Sequence, residues 1–334
     1  MGTTRKNRRV SNLEDKPDEL VCDESTAARG GIEVLVPRDV PLGGPRAMTV
    51  RRTLPQRERS LIGAWCFLDH YGPDPVADSG GMSVAPHPHT GLQTVSWLFT
   101  GEIEHRDSAG HHAMVRPGEL NLMTAGHGIS HSEVSTPATT TLHGAQLWVA
   151  LPASARDDAP DFEHYAPPPV TGEGWEARVF LGSLLGSSSP VATATPLLGA
   201  ELRLTAGTEL HLDVDPDFEH GVLVDTGVVS LGDVETKQHE LAYLPPGSQR
   251  LTVEAVSDAR VLLLGGPPFG EAIVMWWNFV GRSHEEIVGF REAWQAQLPD
   301  DGSYADGRFG IPTGNDLPPI PAPELPNARL KERS

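Results

Sequence analysis

The sequence predicts an all-β protein with two antiparallel jelly-roll β-barrels in tandem and a C-terminal helix. The chain has 35 glycines and 30 prolines among 334 residues, and only 38% of its residues are hydrophobic. This composition is typical of many short strands joined by turns. From Ile32 onward, short apolar or alternating runs each end at Gly, Pro, Asp or Asn, and a pair of turn motifs occurs twice. These observations favour tandem β-barrels over a helical bundle.

The predicted strands fall into two groups. The first group contains Ile32–Val36, Trp65–Leu68, Thr94–Phe99, Leu120–Met123 and Ala145–Ala150. The second contains Ala177–Leu181, Glu201–Thr205, Gly221–Val224, Leu241–Leu244, Leu251–Val253 and Arg260–Leu264. Thr100-Gly101-Glu102-Ile103, followed by Arg116-Pro117-Gly118, recurs as Thr226-Gly227-Val228-Val229, followed by Pro245-Pro246-Gly247. We therefore predict one barrel over 32–150 and a second over 176–298, joined by a Pro-rich linker over 151–175.

The two ends of the chain differ from the barrels in composition. Residues 1–31 mix charged residues with Ser, Thr and Asn, and we expect a mobile arm there. Ser283-His284-Glu285-Glu286 is a capping box that predicts the start of a helix. Ile287, Phe290 and Trp294 follow on one helical face, so this helix should pack back on the body of the protein. The proline-rich tail over 299–334 is expected to be extended and to lack a core of its own.

Charge and cysteine content narrow the possible functions. The chain has 26 Lys+Arg against 45 Asp+Glu, a formal net charge of −19, which repels phosphate backbones and anionic membranes. No apolar run has the length of a membrane helix or the form of a secretory signal. The two cysteines, Cys22 and Cys66, cannot form a disulfide framework. We expect a cytoplasmic globular protein that binds neither nucleic acid directly nor a membrane.

Two short motifs place candidate metal ligands on strands. In His87-Pro88-His89 and His131-Ser132-Glu133, the first and third residues point to the same face of an extended strand. Two adjacent antiparallel strands would therefore bring three imidazoles and one carboxylate together. Nitrogen with one hard oxygen suits divalent Fe, Mn, Co, Ni or Zn. The absence of thiol ligands argues against a structural zinc site, which usually closes its coordination shell.

Six other histidines are predicted to take no part in a metal site. His105, His111 and His112 surround an expected hairpin turn, where side chains are solvated. His211, His220 and His239 are expected at the surface or in the core. The role of His127 stays open, because its flanking glycines indicate backbone near the barrel mouth. In the second barrel, the positions equivalent to the two motifs hold Asp213, Asp215 and Arg260, so that barrel is predicted to be metal-free.

Several segments resemble the pirin family. They are Phe67-Leu68-Asp69-His70-Tyr71-Gly72-Pro73, Pro86-His87-Pro88-His89-Thr90-Gly91-Leu92-Gln93-Thr94-Val95, Gly101-Glu102-Ile103-Glu104-His105-Arg106-Asp107-Ser108, Arg116-Pro117-Gly118-Glu119-Leu120, Met123-Thr124-Ala125-Gly126-His127-Gly128-Ile129-Ser130-His131-Ser132-Glu133 and Leu147-Trp148-Val149. The resemblance extends over residues 32–298 and is densest over 65–150. The chain is thus similar to bacterial pirin-like proteins, which belong to the cupin superfamily.

The resemblance implies a bicupin, with two β-barrels stacked face to face and a single iron in the N-terminal barrel. Position by position, it implies that His87, His89, His131 and Glu133 hold the metal. Fe(II) is the expected ion, with Mn, Co, Ni, Zn or Cu as alternatives. Bacterial members of the family are associated with quercetin 2,3-dioxygenase activity, and nuclear members with iron-dependent transcriptional co-regulation.

One position departs from the family pattern. The fourth residue after His89 is usually Glu in pirins and is Gln93 here. An amide cannot act as a base, so we expect the metal site to be kept and the handling of the substrate proton to change. Glu133 is then the candidate base for a flavonol hydroxyl. Glu133 and Gln93 are accordingly the predicted catalytic residues.

Three functions remain open on the sequence. The first is a mononuclear non-heme iron dioxygenase that cleaves a flavonol or related phenol with O2. Its pocket would draw an apolar wall from Trp65, Phe67, Trp97 and Phe99, although each of these is more simply explained as barrel core. The second is an iron-dependent, redox-gated regulatory protein that binds a protein partner, and the third is a non-catalytic structural bicupin. Metal analysis and O2 uptake with quercetin distinguish the first from the other two.

Overall fold

The structure is a computed structural model that describes residues 31–42, 48–298, 304–314 and 316–333. The predicted N-terminal arm lies outside these residues except for Gly31. The strands of the first half are β1 (Glu33–Leu35), β2 (Arg38–Leu42), β3 (Met48–Leu54), β4 (Trp65–Pro75), β5 (Ser83–His89), β6 (Leu92–Thr100), β7 (Ile103–Asp107), β8 (His112–Val115), β9 (Leu120–Thr124), β10 (Ile129–Ser135), β11 (Thr141–Ala150) and β12 (Asp161–Tyr165).

Fourteen further strands and two helices complete the described elements. The strands are β13 (Val170–Gly172), β14 (Trp175–Leu181), β15 (Ser183–Leu184), β16 (Ser187–Ser188), β17 (Leu198–Leu204), β18 (Glu209–Asp213), β19 (Glu219–Thr226), β20 (Val228–Leu231), β21 (Val234–Lys237), β22 (Leu241–Leu244), β23 (Arg250–Ala255), β24 (Ala259–Gly266), β25 (Val274–Trp276) and β26 (Phe279–Gly281). The helices are α1 (Val76–Ser79) and α2 (His284–Ala296).

Each barrel consists of a seven-stranded sheet and a four-stranded sheet. In the first barrel, the strand orders are β12-β9-β6-β11-β4-β3-β2 and β5-β10-β7-β8. In the second, they are β1-β22-β19-β24-β17-β14-β13 and β18-β23-β20-β21. Neighbouring strands of these four sheets pair in the antiparallel sense. The predicted all-β fold, with two antiparallel barrels in tandem and a C-terminal helix, is confirmed.

The repeated turn motif has a steric basis. Gly101 follows β6 with a φ of +94°, and Gly227 follows β19 with a φ of +82°. A Cβ at these positions would lie 2.7 Å from the carbonyl oxygen of Thr141 and 2.2 Å from that of Asp258. Both barrels therefore turn where only glycine fits, which explains why the same turn phrase occurs in each.

The edges of the barrels differ from the predicted boundaries. Strand β1, which the prediction assigned to the first barrel, pairs with β22 in the second barrel, with Leu35 opposite Leu241. Strand β12 lies inside the predicted linker but pairs with β9 of the first barrel, with Phe162 opposite Met123. Strand β13 also begins within the linker, at Val170. These edge strands are short and half-exposed, so their sequences carry little of the alternation by which a strand is recognised.

The seven-stranded sheet of the first barrel separates the barrel interior from the contact between the barrels. Because side chains alternate along a strand, Ser96 and Gln146 face the interior, where Ser96 Oγ lies 2.9 Å from Gln146 Oε1. Trp97 faces the opposite way and stacks on Phe180 of the second barrel, with ring centroids 4.5 Å apart. Its Nε1 donates to Glu201 at 2.7 Å. The apolar core on this face is shared by both barrels and includes Val95, Trp97, Leu147, Phe180, Leu223 and Leu262.

Helix α2 begins as the capping box predicts. Ser283 is the N-cap residue, and its Oγ accepts a hydrogen bond from the backbone NH of Glu286 at 3.2 Å. The Glu286 carboxylate in turn accepts from the backbone NH of Arg282 at 2.8 Å. The three predicted apolar residues of the helix, Ile287, Phe290 and Trp294, are all buried. The helix therefore packs on the body of the protein through the expected face.

The C-terminal tail packs against strands β5 and β10 of the first barrel. The backbone NH of Ile320 donates to the carbonyl of Pro86 in β5 at 2.8 Å. Ser130 Oγ in β10 donates to the carbonyl of Gly310 at 2.7 Å. Phe309 and Ile320 are buried in the same apolar cluster as Trp294. Where the structure describes it, the tail forms no helix or named strand and packs against the barrel and α2.

Candidate metal centre

Three histidines converge inside the first barrel. Strands β5 and β10 are neighbours, with His131 directly opposite His87. The ring centroids of His87 and His131 are 4.4 Å apart, and those of His89 and His131 are 4.9 Å apart. One ring nitrogen from each of the three lies within 4.8 Å of the others. The structure thus brings together the three imidazoles that the two motifs predicted, and all three are buried.

Hydrogen bonds to the far ring nitrogens orient these imidazoles. His87 Nδ1 donates to the carbonyl of Ala85 at 2.9 Å, and His89 Nδ1 donates to that of Asn278 at 3.1 Å. These partners assign the tautomers and leave a lone pair on each Nε2. His89 Nε2 lies 3.0 Å from His131 Nε2, a distance at which two nitrogens need a proton or a cation between them. The donor set therefore fits a divalent metal ion.

Burial keeps the three imidazoles in the state that metal ligands require. It lowers the pKa of His87 to about 4 and holds the pKa values of His89 and His131 well below the ordinary 6.5. An imidazole must be neutral to coordinate a metal. At neutral pH, the three imidazoles are therefore neutral even without a metal ion.

His105 supports His131, contrary to the prediction that it lies in a solvated turn. It is 3% exposed and lies in β7, beside β10. Its Nδ1 is 3.4 Å from His131 Nδ1, and its Nε2 is 3.3 Å from an oxygen of Asp107. A hydrogen-bonding partner of this kind fixes the ring orientation of an imidazole that holds a metal. The signal was present as His105-Arg106-Asp107, another pair on one face of a strand.

The other histidines follow the predictions more closely. His112, His127 and His211 are exposed. His111 is half-buried, and its Nδ1 lies 3.0 Å from Asp107, so it belongs to the support of His105. His220 is buried in the second barrel, which agrees with the expectation of a surface or core position.

Glu133 lies beside the cluster of His87, His89 and His131 but is not grouped with all three. It lines the same cavity, and one carboxylate oxygen lies within 4.8 Å of nitrogens of His131 and His105. Ser96 Oγ donates to Glu133 Oε1 at 3.1 Å. Burial raises the pKa of Glu133, while His105 and the bond from Ser96 oppose that rise. A cation beside the carboxylate would favour its ionised form.

A bulge interrupts the pairing between His131 and Glu133. Along β10 these two residues are two positions apart, whereas their partners in β5, His87 and Val84, are three positions apart. Bulges of this kind re-aim side chains near functional sites. The irregularity therefore adjusts the direction of Glu133 relative to the histidines.

Gln93 does not reach the cavity, contrary to its predicted catalytic role. Ser96 points inward, and Gln93 lies three positions earlier in β6, so its side chain lies on the opposite face of the strand. Its Nε2 donates to Thr124 Oγ1 at 2.9 Å, and the residue is 5% exposed. Gln93, which occupies the position of the family's Glu, is therefore a buried structural amide on the outer face of the barrel wall.

The cavity next to the histidines is narrow and largely walled by aromatic rings. Phe67 and Trp148 stack with centroids 4.0 Å apart, and the Arg52 guanidinium lies 4.5 Å above the Phe67 ring. Arg52 also forms a two-pronged ion pair with Asp69, at 2.7 and 2.8 Å. Met82 and Val84 also line the cavity, whose volume is about 50 Å³.

One of the four candidate wall residues reaches this cavity. Phe67 lines it. Trp65, Trp97 and Phe99 instead lie in the core between the barrels, in keeping with their simpler explanation.

A second buried histidine cluster lies between the barrels, and no sequence motif predicted it. His70 Nε2 and His143 Nε2 from the first barrel lie 2.7 and 2.5 Å from the same oxygen of Asp225 in the second. Arg260 Nε donates to the other Asp225 oxygen at 2.5 Å. Although burial alone would raise it, the bonds from His143 and His70 hold the pKa of Asp225 well below its ordinary value.

Comparison with known proteins places the chain among relatives of the same architecture. The Pirin family model matches residues 47–149, and the Pirin C-terminal cupin domain model matches residues 199–298. A Pseudomonas aeruginosa protein named "Putative quercetin 2,3-dioxygenase" is 45% identical over 290 residues, which are 86% of this chain and 89% of that protein. A pirin-like protein of Caulobacter vibrioides is 35% identical over 263 residues, covering 75% and 90% of the two chains.

A solved structure shares both barrels. The crystal structure of quercetin 2,3-dioxygenase from Acinetobacter baumannii matches with a TM-score of 0.81 at 39% identity, covering 90% of this chain and 98% of that one. The fold and the histidine cluster define a cupin protein with a site for a divalent metal. Within that class, the chain belongs to the pirin family.

No helix in the described residues is both long and apolar enough to cross a membrane.

Proposed function

We propose that this protein is a metal-dependent dioxygenase of the quercetin 2,3-dioxygenase type, with Fe(II) as its ion. The observation that carries the proposal is the set of three imidazoles whose Nε2 atoms face one another beside an aromatic cavity. His87, His89 and His131 would hold the metal, with Glu133 as the fourth ligand. This ligand set leaves coordination positions open, as a catalytic metal requires. Homology to proteins described as quercetin 2,3-dioxygenases supports the same activity.

The bound metal would supply Lewis acidity, which lowers the pKa of a substrate hydroxyl. The protein's own residues would then orient the substrate and manage its proton. Ser96 donates to Glu133 at 3.1 Å and holds the carboxylate against the cavity. With Gln93 on the other face of its strand, Glu133 is the carboxylate closest to the histidines that can accept a proton.

The cavity also limits the size of the substrate. Its volume of about 50 Å³ is far below the ~300–1,000 Å³ of pockets that hold drug-sized ligands. A single-ring phenol or catechol is closer to this size than a three-ring flavonol. The stacked rings remain a suitable wall for any planar substrate.

Oxygen uptake by the iron-loaded protein tests the proposal. Metal-free protein would be reconstituted anaerobically with Fe(II) and mixed with O2 and either quercetin or catechol, and oxygen and products would be followed together. We expect one O2 consumed per substrate cleaved, and none with the metal-free protein. One iron per chain with no oxygen uptake on either substrate would contradict the proposal.

A further inference from the structure

Tyr71 presents an unused hydroxyl to the metal cavity. It lies in β4 and lines the cavity with His87, His131 and Glu133. The residue is fully buried, and its hydroxyl has no hydrogen-bond partner among the described residues. A buried hydroxyl without an acceptor costs stability, and such groups in a native fold call for a functional explanation.

The facing strand leaves space for this hydroxyl. Gly144 in β11 lies opposite Tyr71. A Cβ at Gly144 would lie 3.0 Å from Tyr71 Oη and 2.7 Å from a methyl group of Leu98. Gly144 does not adopt a positive φ. The lack of space for a side chain, rather than the backbone conformation, therefore accounts for glycine at this position.

The hydroxyl is a permanent donor. Burial holds the pKa of Tyr71 well above 10, and the negative charges of Glu133 and Asp69 raise it further. The phenol therefore keeps its proton over the physiological range and cannot act as a base. Polar neighbours in the cavity already bind one another, since Arg52 pairs with Asp69 and Ser96 with Glu133.

We propose that Tyr71 is a positioning residue whose hydroxyl donates a hydrogen bond to an anionic oxygen of a phenol- or enediol-type ligand in the metal cavity. The inference rests on the proposed function and deepens it. A ligand oxygen deprotonated at the metal is a strong acceptor, and a bond to a charged group is about twice as strong as a neutral one. Recognition of this kind favours ligands whose oxygen is anionic when the metal holds it, as in a catechol or an enediol.

Binding of 4-nitrocatechol tests the proposal without relying on turnover. The wild type and Tyr71→Phe would be loaded with Fe(II) and titrated anaerobically, with the ligand followed by its absorbance. We expect Tyr71→Phe to keep its metal and its melting temperature and to bind the catechol roughly 10- to 100-fold more weakly. Tyr243→Phe is the matched control, since it removes the hydroxyl that donates to Glu219 at 2.8 Å in the second barrel. It should lower the melting temperature and leave catechol binding unchanged.

The outcomes separate this inference from the proposed function. Equal binding by the wild type and Tyr71→Phe would overturn the role of Tyr71 and leave the dioxygenase proposal standing. Weaker binding by Tyr71→Phe, with no oxygen uptake by the wild type, would support the positioning role of Tyr71 and contradict the dioxygenase proposal. A wild type that does not bind 4-nitrocatechol would overturn the role of Tyr71, and oxygen uptake with quercetin would then decide the dioxygenase proposal on its own. A Tyr71→Phe variant with a lower melting temperature and unchanged binding would show a purely structural hydroxyl.

Discussion

Two buried histidine clusters in this protein have similar composition and opposite chemistry. Inside the first barrel, the open cluster of His87, His89 and His131 shares its cavity with Arg52, whose guanidinium is bound to Asp69. Between the barrels, the closed cluster consists of His70, His143 and Asp225, and the second oxygen of Asp225 is bound by Arg260. The guanidinium near the open cluster is thus bound to a separate carboxylate, whereas in the closed cluster it binds the carboxylate that the two histidines share. The supply of charge and donors around histidines, more than their number, therefore decides whether a cluster fits a metal.

The largest effect should come from removing an imidazole of the open cluster. In His131→Ala, the nitrogen facing His89 is lost, so we expect at least a 100-fold loss of metal affinity and no measurable oxygen uptake. Metal content after dialysis, measured by mass spectrometry, checks this. His211→Ala is the control, because His211 is exposed in the second barrel, where its ring lies 3.0 Å from Thr252 and 3.9 Å from Glu209. Full metal content in His131→Ala would remove that residue from the ligand set.

Breaking the closed cluster should destabilise the fold and leave the metal in place. Asp225→Asn removes the charge that balances Arg260 and should lower the free energy of unfolding by about 3 kcal/mol. Urea denaturation measures the loss, and metal analysis should give the wild-type value. Asp213→Asn is the control, since Asp213 forms an exposed pair with Arg250 and should change stability little. A loss of metal in Asp225→Asn would show that the cluster between the barrels also supports metal binding in the first barrel.

The two clusters should also respond to different ranges of pH. Burial lowers the pKa of His87 from 6.5 to about 4, so in metal-free protein its contribution to stability is complete above pH 6.5. It is lost as the pH falls through 4, because the unfolded chain binds the proton first, and the loss reaches about 3 kcal/mol. Asp225, with its pKa below the ordinary 3.8, loses its contribution only at lower pH.

Urea denaturation of metal-free protein at several pH values separates these ranges. We expect His87→Gln to flatten the slope of stability against pH between 6.5 and 4. Asp225→Asn should leave that slope as it is in the wild type and lower the whole curve. If His87→Gln keeps the wild-type slope, protonation of His87 is not what lowers stability in mild acid.

The contrast also shows what a sequence can predict. His87 and His89 stand two positions apart in one strand, so local alternation was enough to place them on one face. The closed cluster joins His70 to Asp225 across 155 positions, and no local pattern records that pairing. The prediction placed His105 in a solvated turn because the sequence did not show where β7 ends. His105 and Asp107 nevertheless show the same two-residue spacing within that strand.

Gln93 illustrates a subtler limit. Its place four residues after His89 suggested a side chain near the metal. Between these residues, Gly91 adopts a φ of +66°, and a Cβ there would lie 2.4 Å from the carbonyl oxygen of Val280. The turn ends β5 and restarts the alternation in β6, so spacing from His89 no longer determines the face on which Gln93 lies.

The smallest effect on activity is expected for Gln93→Glu. The new carboxylate would lie outside the cavity, beside Thr124. General-base catalysis, which contributes ~10²–10⁴ in rate, requires contact with the substrate proton. Metal content and turnover should therefore stay within about twofold of the wild type. Burying the carboxylate should instead lower the free energy of unfolding by about 1–3 kcal/mol. Gln146→Glu is the matched change on the inner face, because Gln146 lines the cavity and lies 2.9 Å from Ser96. There a second carboxylate near Glu133 should shift the pH profile of turnover. A tenfold gain in turnover from Gln93→Glu would mean that this side chain reaches the substrate, and that β6 presents the opposite face to the metal.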